Sequence, residues 1–155
     1  MNVPREQIAQ ALLTLLQGIN TNISYGPAQF PAGSITRRGA IWSKTAPANQ
    51  PCLYVVQVAE HTSQESAFGE NRWVLYFTLE VYAQADAASA AVPDTLINAI
   101  LDGIELTIQS KPKGMPQTLG GIVTNCWIEG EIVLGTGQIE TQLMMLVPVR
   151  IVTGI

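Results

Sequence analysis

Two segments of the chain carry apolar residues at the three- and four-residue spacing of an amphipathic helix. The first segment runs from Pro4 to Gln17, and its apolar stripe consists of Ile8, Ala9, Leu12, Leu13 and Leu16. The second runs from Pro93 to Gln109, and its stripe consists of Leu96, Ile97, Ile100, Leu101, Ile104 and Ile108. Because this spacing gathers the apolar side chains on one side of a helix, each helix is predicted to pack one face against a core.

The clearest strand pattern lies between Arg72 and Gln84, where apolar and polar side chains alternate. Alternation of this length predicts a strand with one face on the core and the other facing outward. Tyr76 and Tyr82 belong to the outward set, and tyrosine is enriched where proteins contact partners. We therefore take both tyrosines as candidate interface residues. The residues predicted to be buried are Trp73, Leu75, Phe77, Leu79 and Val81.

A second strand is predicted over Cys52–Val58, which is apolar on both sides and therefore suits a central strand covered on both faces. The polar residues 59–71 are predicted to form a loop. Residues 19–51 read as a long connection with one short strand at Ile35–Trp42. Ordered connections of this length are uncommon unless they are functional or pack against a partner.

The segment from Gln117 to Gly154 is predicted to form a hairpin whose turn lies at Gly135–Gln138. In its first arm, Glu129 and Glu131 are expected to share one strand face. The second arm contains Pro148, which has no N–H group to donate, so this arm is expected to be an edge strand there or to bulge.

These elements predict an α+β fold with a mainly antiparallel sheet of about four or five strands and two helices packed on one face. The 155 residues are expected to form a single domain, 1–155. Only 13% of the residues are charged. A small monomer normally carries more surface charge, so this composition favours a protein that covers part of its surface with a partner.

The formal net charge of −4 disfavours nucleic-acid binding by phosphate neutralisation, although DNA could still slide past such a surface. Arg37 and Arg38 form the single local basic pair, which is too small for a binding stripe.

Cys52 and Cys126 lie in apolar runs and are predicted to be buried free thiols. The first residues do not resemble a signal peptide, and no apolar run reaches membrane-spanning length, so a cytoplasmic protein is expected.

Catalytic chemistry has little support in the sequence. The single histidine, His61, lies in a polar segment, and the known nucleophile, zinc, phosphate-loop and dinucleotide motifs are missing. Glu129 and Glu131 could act as an acid–base pair or hold a metal, but further ligands are not close in sequence. A solvated strand face with cross-strand ion pairs to the arm that carries Arg150 is favoured. We therefore expect no enzyme, no cofactor and no metal.

Several stretches together resemble one protein family over nearly the whole chain. They are "ITRRGAIW", "QPCLYVVQVAE", "LEVYAQAD", "LINAILDGIELTI", "QTLGGIVTNCWIEGEI" and "LVPVRIVTG". Their arrangement is similar to that of the tail-terminator (tail-completion) proteins of bacteriophages and prophages with long non-contractile tails. No single stretch is a catalytic signature, so the resemblance lies in the arrangement.

The resemblance implies a small α+β subunit that closes into a hexameric ring, caps the tail tube, ends its polymerisation and provides the head-joining surface. It implies as partners other copies of the chain, the tail tube protein and the head–tail connector, with genomic DNA passing unbound through the lumen and no membrane. The expected location is the tail–neck junction of the virion, after assembly in the bacterial cytoplasm. Candidate contact or lumen residues are Arg37, Arg38, Tyr76, Tyr82, Glu129, Glu131 and Arg150.

Other functions remain open at this stage. A head–tail connector or head-completion protein would differ in its partner and not in its physical character. An enzyme would require His61 to converge with Glu129 or Glu131 in one pocket. A ligand-binding domain would show an enclosed apolar cavity.

Overall fold

The computed structural model describes residues 3–37, 47–64, 71–85, 92–109, 112–135 and 142–153. These contain two α-helices and six strands in a mainly antiparallel sheet, which confirms the predicted α+β class. The helices are α1 (Arg5–Gln17) and α2 (Pro93–Ile108). The strands are β1 (Ile35–Thr36), β2 (Cys52–Gln64), β3 (Asn71–Gln84), β4 (Asn125–Ile128), β5 (Val133–Gly135) and β6 (Gln142–Val152).

The sheet has the order β1-β2-β3-β6-β4, and β5 also pairs with β6. The β1–β2 pair is parallel and the other pairs are antiparallel. Strands β3 and β6 form its centre, with a continuous register from Val74 opposite Val152 to Gln84 opposite Gln142. The second helix, α2, lies in the connection between β3 and β4.

The hydrophobic core joins both helices to one set of alternating positions in the sheet. The buried stripes of α1 and α2 belong to one cluster with the odd-numbered residues of β3 and β6. Leu75, Phe77, Leu79 and Val81 are at most 1% exposed, as predicted. Trp73 is only half-buried, so its predicted full burial is wrong.

Strand β2 is longer than its apolar pattern indicated. Residues 59–64 and Asn71 pair in the β2–β3 ladder, so the predicted loop over 59–71 is wrong at both ends. The hydrogen bonds of the ladder form despite the polar side chains, which are exposed over residues 59–62. A bulge at Val58 shifts the register, and full burial on both faces ends at Val55. Of the strand predicted over Ile35–Trp42, Ile35 and Thr36 form β1, and residues 38–42 lie outside the described ranges.

Strand β6 lies inside the sheet and is not an edge strand over its whole length, but at Pro148 it lacks a strand partner on its outer side, as the predicted local edge requires. Its outer neighbour is interrupted there, because β4 ends at Ile128 and β5 begins at Val133. The carbonyl oxygen of Pro148 accepts a hydrogen bond of 3.2 Å from the Glu129 N–H. Gly130 has a φ of +119° and approaches the proline ring closely, so the chain turns away from β6 where the missing N–H could not pair.

Candidate functional site

We call the sheet face that carries the even-numbered residues of β3 and β6 the outer face. On this face β6 presents half-buried, largely apolar side chains: Met144, Leu146, Pro148, Arg150 and Val152. The alternate residues of β6 are fully buried in the core shared with the helices. The strand is thus apolar on both faces, whereas an antiparallel strand with a solvated face normally presents polar side chains there. Partly exposed apolar surface of this kind marks interaction sites.

An arginine at the middle of the outer face connects three strands. Arg150 lies opposite Tyr76 of β3 and opposite Trp127 of β4. The central guanidinium carbon is 5.9 Å from the Tyr76 ring centroid and 5.4 Å from that of Trp127. Its Nη1 donates to Glu129 Oε1 at 3.1 Å and to Oε2 at 2.9 Å. The hydrogen bond to Glu129 raises the pKa of Arg150, so the guanidinium stays charged over the usual pH range.

The contact is one of the cross-strand ion pairs expected with the arm that carries Arg150, but the two glutamates do not form one site. Both lie in the interruption between β4 and β5, so neither belongs to a regular strand face. Glu131 is exposed, whereas Glu129 is engaged with Arg150. The alternation used to place both on one strand face fails because Pro148 and Gly130 break the ladder at this point.

Tyr82 does not belong to the accessible outer surface. It is 6% exposed and packs with Cys52 and Tyr54, and the Tyr54 and Tyr82 ring centroids lie 6.1 Å apart. Burial raises the pKa of the Tyr82 phenol, with a smaller contribution from the Glu80 carboxylate. Cross-strand packing within the chain therefore covers Tyr82. Tyr76, which lies opposite Arg150, is half-buried.

Of the predicted basic pair Arg37 and Arg38, the structure describes only Arg37, which pairs with a glutamate. Arg37 Nη1 lies 2.5 Å from Glu6 Oε1, and this ion pair connects the segment after β1 to the first turn of α1. Arg38 lies outside the described residues. Arg37 thus has an intramolecular partner and does not present an unpaired charge.

A second arginine cluster was not predicted from the sequence. Arg5 at the start of α1 donates from Nε to Glu60 Oε2 at 2.6 Å and from Nη2 to Glu60 Oε1 at 2.5 Å. Its guanidinium also covers the Trp73 ring at 3.8 Å, which accounts for part of the burial of that tryptophan. The hydrogen bond from Arg5 lowers the pKa of Glu60. These contacts connect the start of α1 to the part of the β2–β3 hairpin that contains Glu60 and Trp73.

The geometry gives no support to an acid–base site around His61. His61 lies on β2 opposite Val74, and β3 and β6 separate β2 from β4. Three strand spacings of about 4.8 Å place it about 14 Å from the strand that leads to Glu129. Neither of the grooves described below is lined by His61, Glu129 or Glu131. Among the described residues, no group of three or more His, Cys, Asp or Glu side chains could hold a metal ion.

Two open grooves lie on the side of the molecule that contains the turn after α2. The β4 groove, of about 520 Å³, lies between β4, the end of α2 and residues 114–117. The α1 groove, of about 860 Å³, lies between α1 and residues 117–122. Gln117 lines both grooves. Both grooves are open to solvent, so neither is the enclosed cavity expected of a small-ligand protein.

The turn between the grooves has an unusual backbone. Leu119 has a φ of 49°, and Gly120 and Gly121 follow with φ of 79° and 90°. The carbonyl oxygen of Thr118 accepts hydrogen bonds from three following backbone N–H groups. Gln117 secures this turn, because its Oε1 accepts from the Leu119 N–H and its Nε2 donates to the last turn of α2. The sequence Leu119-Gly120-Gly121 favours a turn of this kind, but the position of the turn between the two grooves depends on tertiary packing.

Comparisons with known proteins leave the assignment of function to this geometry and to the resemblance described above. No protein-family model matches the chain, and no curated protein matches it. Of the described helices, α1 has 13 residues and α2 has 16, and neither is long and apolar enough to cross a membrane.

Stability at alkaline pH is expected to depend on Cys126 in the β4 groove. Burial raises the pKa of its thiol to about 12, against about 8.5 in an unfolded chain. The stability that the buried neutral thiol contributes is therefore fully present below about pH 8.5. It is lost as the pH rises toward 12, because in that range only the unfolded chain releases the thiol proton. From pH 9 to 11, the parent should lose stability faster than Cys126→Ala by up to about 1.4 kcal/mol per pH unit. Urea melts at several pH values check this, and parallel curves for the two proteins would contradict it.

Proposed function

We propose that the chain is a structural subunit of a bacteriophage virion that caps the tail tube, ends its polymerisation and provides the head-joining surface. Copies of the chain close into a ring, expected to be a hexamer, at the tail–neck junction. The genome passes through the lumen without sequence-specific binding. The tail tube protein and the head–tail connector are the neighbours of this ring, and assembly takes place in the bacterial cytoplasm.

The observation that carries this proposal is the outer face of β6, which is apolar and only half-buried. Tyr76, Arg150 and Trp127 lie in one row across its centre. Tryptophan, tyrosine and arginine are the residues that most often dominate the energy of protein interfaces. Together with the small charged fraction of the sequence, this row supports a subunit whose outer face contacts a neighbour in an assembly.

A structural role also agrees with the way the charged candidates are used. Arg37 and Arg150 each pair with a glutamate of the same chain. Neither presents an unpaired charge to a phosphate backbone, which suits a surface that lets DNA slide past. Glu131 is exposed and remains a candidate for the lumen or for a subunit contact.

Deletion of the gene in its phage or prophage is expected to give headless tails of unregulated length, because nothing would stop tube growth. Electron microscopy of lysates measures this. Complementation with Leu146→Asp, which charges the half-buried outer face, should leave the defect in place. Leu106→Asp, at a 48% exposed position of α2, is the matched control and should restore normal tails.

Other outcomes of the deletion distinguish the remaining candidates. Tails of normal length that fail only to join heads would favour a head–tail connector. Normal tails joined to full heads would exclude both neck functions. Circular dichroism and urea melts of the two leucine variants are needed alongside, because a defect that follows from unfolding says nothing about the outer face.

A further inference from the structure

The free edge of the sheet at β4 presents backbone hydrogen-bonding groups to the β4 groove. In an antiparallel ladder, successive residues alternate between bonding to the neighbouring strand and pointing away from it. The Glu129 N–H donates to the Pro148 carbonyl oxygen of β6, so the backbone groups of Trp127, two residues earlier, also face β6. The backbone groups of Cys126 and Ile128 therefore point away from β6. Among the described residues, no strand pairs with β4 on that side. The Cys126 N–H bonds to Asn125 Oδ1 at 2.9 Å, which leaves the Ile128 N–H and the two carbonyl groups directed at the groove.

The walls of the β4 groove are mixed: Gln109, Gln117 and Asn125 line it beside a somewhat larger apolar surface. All four residues of β4 line it, together with Ile108 at the end of α2 and Ile132. Met115, which is 61% exposed, lies on the opposite side and is the most exposed large apolar residue of the described chain. Glu105 is the only charged residue among its described lining. The groove therefore combines an unpaired strand edge, apolar contact surface and one negative charge.

We propose that the β4 groove binds an extended segment of a partner protein, which adds as a further strand to the edge of β4. The outward backbone groups of Cys126 and Ile128 select an extended chain, because the backbone of a helix has no free groups to pair with them. Alternate apolar side chains of the segment contact Met115 and Ile132. A lysine or arginine of the segment pairs with Glu105.

The β2 strand of a second copy is a poor occupant for this groove. Beyond the bulge at Val58, β2 is polar over residues 60–64, and Glu60 is already engaged with Arg5. These side chains would leave the apolar part of the walls without matching contacts and would bring a glutamate toward Glu105. The chemistry of the groove thus fits a different polypeptide better than the β2 edge of a second copy.

The test is a titration with the blocked synthetic peptide Lys-Val-Thr-Val-Thr-Val, followed by ¹H–¹⁵N NMR of the folded full-length chain. Saturable shifts are expected in the backbone amides of residues 114–117 and 126–128. Ile128→Pro removes the outward N–H without removing a bond to β6, whereas Ile128→Ala loses the same side chain and keeps the N–H. The proline variant should bind at least about tenfold more weakly than the alanine variant.

The charge contact is tested with Glu105→Lys, which should weaken the same peptide at least about threefold at low salt and less at high salt. Equal affinities of the proline and alanine variants would overturn the strand-addition proposal, as would shifts confined to another surface or no saturable shifts in the groove. Shifts of the same amides with protein concentration alone would overturn it in favour of a second copy as the occupant. These outcomes do not depend on the virion function, which the gene deletion tests separately.

Discussion

Replacement of Phe77 by alanine is expected to lower the free energy of unfolding by about 3–5 kcal/mol, the usual range for a large core aromatic residue. Phe77 is 1% exposed and lies on β3, the strand that pairs with both β2 and β6. Its side chain belongs to the cluster that joins both helices to the sheet. Its removal takes away apolar contacts and leaves a cavity between elements that cannot close without moving the sheet.

Urea denaturation of the parent and the variant measures this effect. Thr78→Ala is the matched control, because it lies next in the strand, faces the other side and is half-buried. It should change stability by less than about 1 kcal/mol. A loss below about 1 kcal/mol for Phe77→Ala would show that the inner and outer faces of β3 are assigned backwards.

Replacement of Gly103 by leucine is expected to destabilise the protein by about 3 kcal/mol, at the upper end of the usual range for overpacking. Gly103 lies in α2, where an added Cβ would meet Ile23 Cγ1 at 2.5 Å and Cδ1 at 2.9 Å. Both distances are far shorter than a normal carbon–carbon contact of about 3.5–4.0 Å. The gain in helix propensity on replacing glycine, about 1 kcal/mol, is too small to offset this crowding.

Thermal and urea melts of Gly103→Leu check the prediction, and Asp102→Leu at the adjacent exposed position of α2 is the control for helix propensity. The control should stay within about 0.5 kcal/mol of the parent. Combining Gly103→Leu with Ile23→Ala should cost less than the sum of the single changes, since the truncated side chain makes room. Additive effects would show that the loss does not arise from contact with Ile23.

The sequence by itself determined the helices and the central strands. The predicted helix from Pro4 to Gln17 begins one residue before α1, and the one from Pro93 to Gln109 ends one residue after α2. Strand β3 begins one residue before the predicted strand Arg72–Gln84. These elements were predictable because burial against one core imposes a periodicity of 3.6 or 2 residues on the sequence.

The local sequence pattern predicted the wrong strand limits or the wrong burial where pairing with neighbouring strands outweighs the composition of the segment itself. Residues 60–64 are polar, yet pairing with β3 extends β2 through them. Tyr82 follows the outward alternation, but it packs with Tyr54 across the ladder and is buried. At Pro148 the sequence indicated a missing hydrogen bond between strands. The structure shows that the neighbouring segment is interrupted there, between the end of β4 and the start of β5.

The candidate contact site was decided almost entirely by tertiary structure. Tyr76, Trp127 and Arg150 are distant in sequence, and they form one row only because β6 lies between β3 and β4 in a particular register. The ion pair of Arg5 with Glu60 spans 55 residues in the same way. Side-chain periodicity reports which face of an element is buried, whereas strand order and register decide which faces meet, and these depend on contacts between segments far apart in the chain.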